Sequence, residues 1–234
     1  MIIRCIDFET TGIPTPEDAH AIVEIGWADM ECDDSDQVQI GGENSFLCNP
    51  GRTIPFEAMA VHHITNEMVK DAFGNVGMIS DPPDDYAAID YFAAHNADYE
   101  RQFFKTDVPF ICTFKVAVRV WPDLASHSLQ YLRYALNFGV DIPSPHRAGP
   151  DAYLCAILLA KIFEAKPDLS IDDMVRWSNG PALLPRCPIG KHRGKAWDDV
   201  PTDYLEWIVY KAGDDMDKNV KANAKHHLIK RPQS

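Results

Sequence analysis

Two carboxylates, Asp7 and Glu9, stand at the end of a short apolar stretch in "IDFETTG" (6–12). Alternate side chains on a strand share a face, so the two acids point the same way. Side by side they repel, a cost relieved when one proton is shared or a cation lies between them. Further acids follow downstream. Asp98 comes after His95 and Asn96 in "HNADYERQFF", and Asp151 stands five residues after His146 in "HRAGPD". Taken singly, each has an ordinary reading: Asp7 and Glu9 as solvated acids at a strand end, Asp98 and Asp151 as residues favoured by the dipole at a helix start, and His146 as an exposed loop histidine. The order carries more information: Asp-x-Glu on a first strand, an Asp after a short strand and His-Asn turn, then His with four residues before Asp.

In that order the chain resembles the DEDDh family of 3′-to-5′ exonucleases, whose fold is related to that of ribonuclease H. The stretches "DFETTG", "HNADYERQF" and "HRAGPD" carry the resemblance. It continues in sequence order through "AMAVHHIT" (58–65), "ICTFKVAVRVWP" (111–122) and the tail "GKHRGKAWDDVPTDYLEW" (190–207), so that it spans nearly the whole chain. The resemblance implies a ribonuclease H-like α/β fold, a mixed five-stranded sheet flanked by helices. It also implies metal-dependent hydrolysis of DNA from the 3′ end to nucleoside 5′-monophosphates, in repair or mismatch excision. RNA trimming from the 3′ end is the alternative within enzymes, and a catalytically weak, nuclease-like recruiting module is the alternative outside them.

Carried over by position, the resemblance assigns five catalytic residues: Asp7, Glu9, Asp98, His146 and Asp151. Asp7 would bridge two divalent cations, Mg²⁺ or Mn²⁺. Glu9 and Asp151 would help hold the cation serving the attacking water, and Asp98 would act on the second, directly or through waters. His146 would take the water's proton. Thr10, Thr11, Gly12, His62 and Asn96 would lie along the terminal nucleotide. These residue types suit the reaction. In-line attack on a phosphodiester builds charge on the non-bridging oxygens and on the leaving 3′ oxygen. Two cations about 4 Å apart serve both ends. Hard cations prefer carboxylate oxygens, and imidazole titrates near working pH.

The elements that must position these residues are legible in outline. Ile2 to Asp7 reads as a buried strand, and "AIVEIGWADM" as a β-branched second strand. "QVQIGGENSFLCNP" reads as a third, broken by Gly41 and Gly42, the three forming an antiparallel meander. Thr65, Ser128 and Ser170 are candidate helix caps. Residues 74–90 read as including a loop, and Asp151 as standing at the start of a strongly apolar helix. The expected organisation is a nuclease domain over 1–165, a helix and linker over 166–188, and a small basic helical appendage over 189–234.

The totals narrow the function further. No apolar run approaches the roughly 18 residues of a membrane span, and a cytoplasmic protein without membrane partners is expected. Six scattered cysteines without a Cys-x-x-Cys pair suit reduced thiols rather than a disulfide framework or zinc knuckle. The adjacent pairs His62–His63 and His226–His227 lack further ligands for zinc. A net charge of −13 argues against coating nucleic acid by bulk attraction. From Arg186 to Ser234, however, ten Lys/Arg stand against seven Asp/Glu. Within that tail Lys191, Arg193 and Lys195, interleaved with glycines, are candidate phosphate contacts, while Trp197, Leu205 and Trp207 are expected in a small core. So acidic a sheet domain predicts distributive action. DNA 3′ ends, single-stranded or duplex, are the expected partner, with RNA possible.

Overall fold

Both faces of the first strand are buried, which makes it the centre of the architecture. In β1 (Ile2–Thr10), Ile3 and Cys5 enter one apolar cluster while Ile6 and Phe8 enter another. Odd-numbered side chains thus point to one face and even-numbered to the other. The computed structural model describes residues 1–33, 37–73, 89–103, 105–142, 146–213 and 215–231. Most of the loop expected over 74–90 falls outside them.

β2 (Ile22–Cys32) runs antiparallel to β1, pairing Asp7 with Gly26 and Glu9 with Glu24. The broken third strand becomes two short segments, β3 (Val38–Ile40) and β4 (Asn44–Leu47), both on the outer edge of β2. On the other side β5 (Tyr91–Ala94) pairs parallel with β1, and β6 (Phe110–Cys112) pairs parallel with β5. The sheet is mixed and five strand positions wide, in the order β3-β2-β1-β5-β6. Among the described residues it holds six strands rather than five, because Gly41 and Gly42 split the outermost one.

Helices cover both faces. α1 (Phe56–His62) and α2 (Asn66–Val69) close a small cluster of Val23, Ile54, Ile64 and Val69. α3 (Ala97–Phe103) follows β5 directly and packs Phe103 beside Ile6 and Phe8. On the opposite face α4 (Thr113–Val120), α5 (Leu129–Ala135), α6 (Ala148–Ala165) and α7 (Ile171–Asn179) pack around Leu154, Leu158, Leu159 and Ile162. The expected caps form: Thr65, Ser128 and Ser170 side chains accept from the Met68, Tyr131 and Asp173 N–H groups.

Beyond α7 the chain builds a separate cluster from Cys187, Trp197, Val200, Leu205, Ile208, Val220 and Ala224. Two single-turn 3₁₀ segments, α8 (Thr202–Tyr210) and α9 (Lys218–Ile229) supply it. Trp197 and Leu205 are core, as expected. Trp207 is not: it is 41% exposed, stacked on Tyr204. Two residues on a helix differ by about 200°, so Trp207 cannot share the face that buries Leu205. No helix among the described residues is long and apolar enough to cross a membrane.

Candidate active site

Asp7 and Glu9 lie on the face of β1 that α6 covers, and α6 delivers Asp151 to them. Cys155 of α6 hydrogen-bonds Cys5 of β1. Two residues along a strand advance about 6.7 Å and four along a helix about 6 Å. The step from Cys5 to Asp7 therefore matches the step from Cys155 back to Asp151. Carboxylate oxygens of Asp7, Glu9 and Asp151 all lie within 4.8 Å of one another. Burial, and then the neighbouring acids Glu9, Glu100 and Asp151, push the Asp7 carboxyl well above its ordinary range. Burial and the charges of Asp151 and Glu24 raise Glu9 to about 8, against the pull of Arg147. Burial raises Asp151 as well, although His146, Gln130 and Arg133 oppose it. Three acids whose ionisation costs this much are matched to added positive charge.

Asp98 is not brought to this group. Its Oδ1 accepts from Lys115 Nζ at 3.0 Å, and its Oδ2 pairs with Lys218 of α9 at 2.9 Å. Burial alone would raise its carboxyl, but the two lysines outweigh burial and hold it below the ordinary range. The helix period explains the placement. Ala97, Glu100 and Phe103 form the buried face of α3, and Asp98 lies about 200° from Glu100. Glu100 is instead the buried acid of α3, and its charge helps raise the Asp7 carboxyl. It is 3% exposed, its Oε2 has no hydrogen-bond partner among the described residues, and burial pushes its carboxyl well up. Its three-residue spacing from Ala97 and Phe103 was the available sequence signal.

His146 sits at the site through its backbone. With φ of 59°, its N–H donates to Asp151 Oδ2 at 3.2 Å while the residue itself is exposed. Gln130 of α5 donates to Asp151 Oδ1 at 3.1 Å. Thr10 closes the turn after β1, its hydroxyl donating to the Gly12 carbonyl at 2.9 Å and also meeting the Tyr99 hydroxyl. Thr11 is buried, and its hydroxyl binds the Ala21 N–H and the His20 ring, so it ties the turn down from within. Gly12 has φ of 152°, and a Cβ there would meet the His20 ring at 2.5 Å. His62 is buried against the Thr10 backbone, its Nδ1 accepting from the Ile64 N–H at 3.0 Å, and burial lowers its pKa. Asn96 is exposed at the turn between β5 and α3.

Two further residues carry the geometry. Glu24, 1% exposed in the middle of β2, receives both Arg147 Nε at 2.8 Å and Arg147 Nη2 at 2.6 Å. A glutamate inside a β-branched strand was the trace it left in the sequence. At the far end of the chain Lys191, Arg193 and Lys195 are exposed, and Lys191 Nζ stands 5.6 Å over the Tyr204 ring. None of their contacts among the described residues reaches the acids. Lys218 of α9 reaches from the C-terminal unit to pair with Asp98.

Among solved structures, Exonuclease X in complex with 5′ overhanging duplex DNA matches with a TM-score of 0.60 at 30% identity, covering 76% of this chain and 99% of that one. The nuclease domain of 3′hExo, a DEDDh family member bound to rAMP, shares the fold with a TM-score of 0.55 at 14% identity, over 72% of this chain and 94% of its own. Sheet order, flanking helices and converging carboxylates define a nuclease of the ribonuclease H-like, DEDDh type. Exodeoxyribonuclease 10 of Escherichia coli K12 is 32% identical over 235 residues, 97% of this chain and 99% of its own. DNA polymerase III subunit epsilon of Treponema pallidum is 29% identical over 64% of this chain and 70% of its own. The sequence profile of the Exonuclease family (RNase_T) matches residues 5–159. The chain belongs to that family, and its activity is that of a 3′-to-5′ exonuclease. The family depends on divalent metal, and the donor set here fits such ions: an all-oxygen cluster of raised carboxyls, with the charge of a buried Glu100, one oxygen of which is unpartnered among the described residues, acting on Asp7.

Proposed function

We propose that this exonuclease acts on the 3′ ends of DNA, releasing nucleoside 5′-monophosphates, and that Asp7, Glu9, Asp151 and Glu100 hold two divalent cations, Mg²⁺ or Mn²⁺. The observation that carries the reading is the convergence of Asp7, Glu9 and Asp151 within 4.8 Å. The Asp7 carboxyl feels the charges of Glu9, Asp151 and Glu100 alike, and it would be the ligand shared by both ions. Glu100 takes the role that position alone would give Asp98, because Asp98 is already neutralised by lysines. When bound, the ions supply the positive charge that eases ionisation of the attacking water and offsets charge on the phosphate and leaving oxygen.

The chain's own residues do the rest. His146, anchored by its N–H on Asp151 and open to solvent, takes the proton of the attacking water and passes it to bulk. The Thr10–Gly12 turn, tied down by Tyr99, Thr11 and His20, forms a rigid floor for the terminal nucleotide, with His62 behind it and Asn96 at its rim. Lys191, Arg193 and Lys195 contact the phosphate backbone beyond the site. A preference for DNA is supported by the likeness to exodeoxyribonuclease 10 and to Exonuclease X with its duplex. The absence of disulfides among the described cysteines fits a reducing compartment, the cytoplasm.

The test is digestion of 5′-labelled single-stranded DNA, duplex with a 5′ overhang, and RNA of the same sequence, with Mg²⁺, with Mn²⁺ and with EDTA. A ladder shortening from the 3′ end of DNA, faster than on RNA and absent in EDTA and in Asp7→Ala, is expected. Faster digestion of RNA would overturn the substrate, and metal-independent cleavage would overturn the site.

A further inference from the structure

The registration of β1 on β2 sets Glu24 directly opposite Glu9, so both side chains lie on the face that α6 covers. Like charges directly opposite each other on neighbouring strands repel. Arg147 resolves the conflict. Its guanidinium is bound bidentately by Glu24, and its charge acts on Glu9 as well. The same Glu24 carboxylate accepts from the Ala148 N–H at 3.0 Å and from the Ser45 hydroxyl at 3.0 Å.

Ala148 opens α6, whose first N–H groups lack intrahelical partners, and the preceding Arg147 provides no side-chain cap of its own. The cap comes from another strand, 124 residues away in sequence. A second contact fixes how deeply the helix sits. A Cβ at Gly26 would fall 2.0 Å from the Ala148 carbonyl carbon and 2.2 Å from the Gly149 nitrogen, so the first turn of α6 rests directly on the β2 backbone. Gly149 in turn faces β4, with the Asn44 carbonyl oxygen 3.1 Å from where its Cβ would be.

We propose that Glu24 is a positioning residue for the nuclease site: through Arg147 and Ala148 it holds the turn between His146 and Asp151, so that Asp151 meets Asp7 and Glu9. Arg147 immediately follows His146, and Asp151 lies one helical turn beyond Arg147, where its N–H donates to the Arg147 carbonyl at 3.0 Å. Loosening Arg147 therefore displaces the carboxylate and the histidine together. The inference rests on the metal-holding reading of Asp7, Glu9 and Asp151.

The test compares Glu24→Gln, Arg147→Gln and Arg147→Lys with wild type in three measurements: thermal denaturation, Mn²⁺ binding by electron paramagnetic resonance of the unbound ion, and kcat and KM on a 5′-labelled oligonucleotide. Residues that orient metal ligands contribute on the order of 10- to 100-fold in affinity or activity. Glu24→Gln and Arg147→Gln should weaken Mn²⁺ binding and lower kcat in that range, leaving KM little changed. A double Glu24→Gln/Arg147→Gln variant should lose less than the two single losses combined, because both break the same ion pair, and Arg147→Lys should fall between wild type and Arg147→Gln. Folded Glu24→Gln and Arg147→Gln with wild-type Mn²⁺ affinity and kcat would overturn the proposal, as would a loss that only follows the unfolded fraction. Should Glu24→Gln not fold, the two Arg147 variants decide alone, since that side chain is 31% exposed. Weakened Mn²⁺ binding in a chain that digests no 3′ end would uphold the positioning role and sink the substrate reading.

Discussion

Asp98 and Glu100 stand two residues apart on α3 and face opposite ways: Asp98 is paired with Lys115 and Lys218, and Glu100 is buried, its charge acting on Asp7. Their substitutions should separate accordingly. Glu100→Gln removes a negative charge from the acidic site and should lower kcat by roughly two orders of magnitude or more, the scale set by losing electrostatic stabilisation of a transition state. Asp98→Asn should keep kcat within a few-fold while weakening the tie between α3 and α9. Steady-state kinetics on a short oligonucleotide checks both. A dead Asp98→Asn beside an active Glu100→Gln would restore Asp98 as the ligand.

A second expectation concerns pH. Glu9 has its folded pKa raised to about 8, first by burial and then by Asp151 and Glu24, against an unfolded value of about 4.3. Between those values the folded chain keeps a proton that the unfolded chain has released, so stability without metal falls as pH rises through that window. Below it both states are protonated and the contribution is fully present; above it both are ionised and the contribution is gone. Denaturation in EDTA should show a Tm that declines from pH 5 to 8.5, less steeply in Glu9→Gln. Added Mg²⁺ should raise Tm more at the alkaline end, where ions no longer compete with protons. Equal pH slopes in wild type and Glu9→Gln would contradict the shift.

The seat of α6 gives a third. Gly26→Ala would place a methyl 2.0–2.2 Å from backbone atoms of Ala148 and Gly149, with no side chain able to move aside. Forcing an extra methyl into a packed contact costs about 1–3 kcal/mol, occasionally more. Here the strain acts at the helix that carries Asp151. A lower Tm together with weaker Mn²⁺ binding is expected, whereas a lower Tm with unchanged Mn²⁺ affinity would show that α6 tilts without moving its first turn.

What was legible in the sequence follows from the range of the interactions. The alternation along β1, the caps at Thr65, Ser128 and Ser170, and the Asp7, Glu9 and Asp151 motifs are local signals, and the structure forms those elements. Helix phase is less local. Near a helix start Asp98 and Glu100 are equally good dipole partners, and only the buried Ala97–Glu100–Phe103 face distinguishes them. Glu24 and Arg147 meet across 123 residues, so neither stretch by itself discloses the pair. Trp207 departs from the expected core for the same reason as Asp98 departs from the site: Leu205 and Ile208 define the buried stripe of α8, and Trp207 lies off it.

The exposure of Trp207 alters what the C-terminal unit offers a nucleic acid. Tyr204 and Trp207 stack at 5.5 Å with Lys191 over the Tyr204 ring, and Arg193 and Lys195 are exposed in the same stretch as Lys191, giving an aromatic surface with a cation against it and two more cations close by in sequence. Cations binding phosphates release counterions, so each lost contact to a single strand flattens the slope of log K against log salt by about 0.7. Replacing Lys191, Arg193 and Lys195 by Ala should therefore flatten that slope by about 2 and raise KM for long oligonucleotides, with kcat on short ones retained. Trp207→Ala should behave differently. Base stacking on an aromatic ring contributes about 1–3 kcal/mol and involves no counterion, so affinity for single-stranded DNA should fall with the salt slope unchanged. Fluorescence anisotropy of a labelled oligonucleotide across a salt series distinguishes the two effects. If both sets of variants bind as wild type does, the loop is solvated surface, and the phosphate contacts lie on the sheet domain itself.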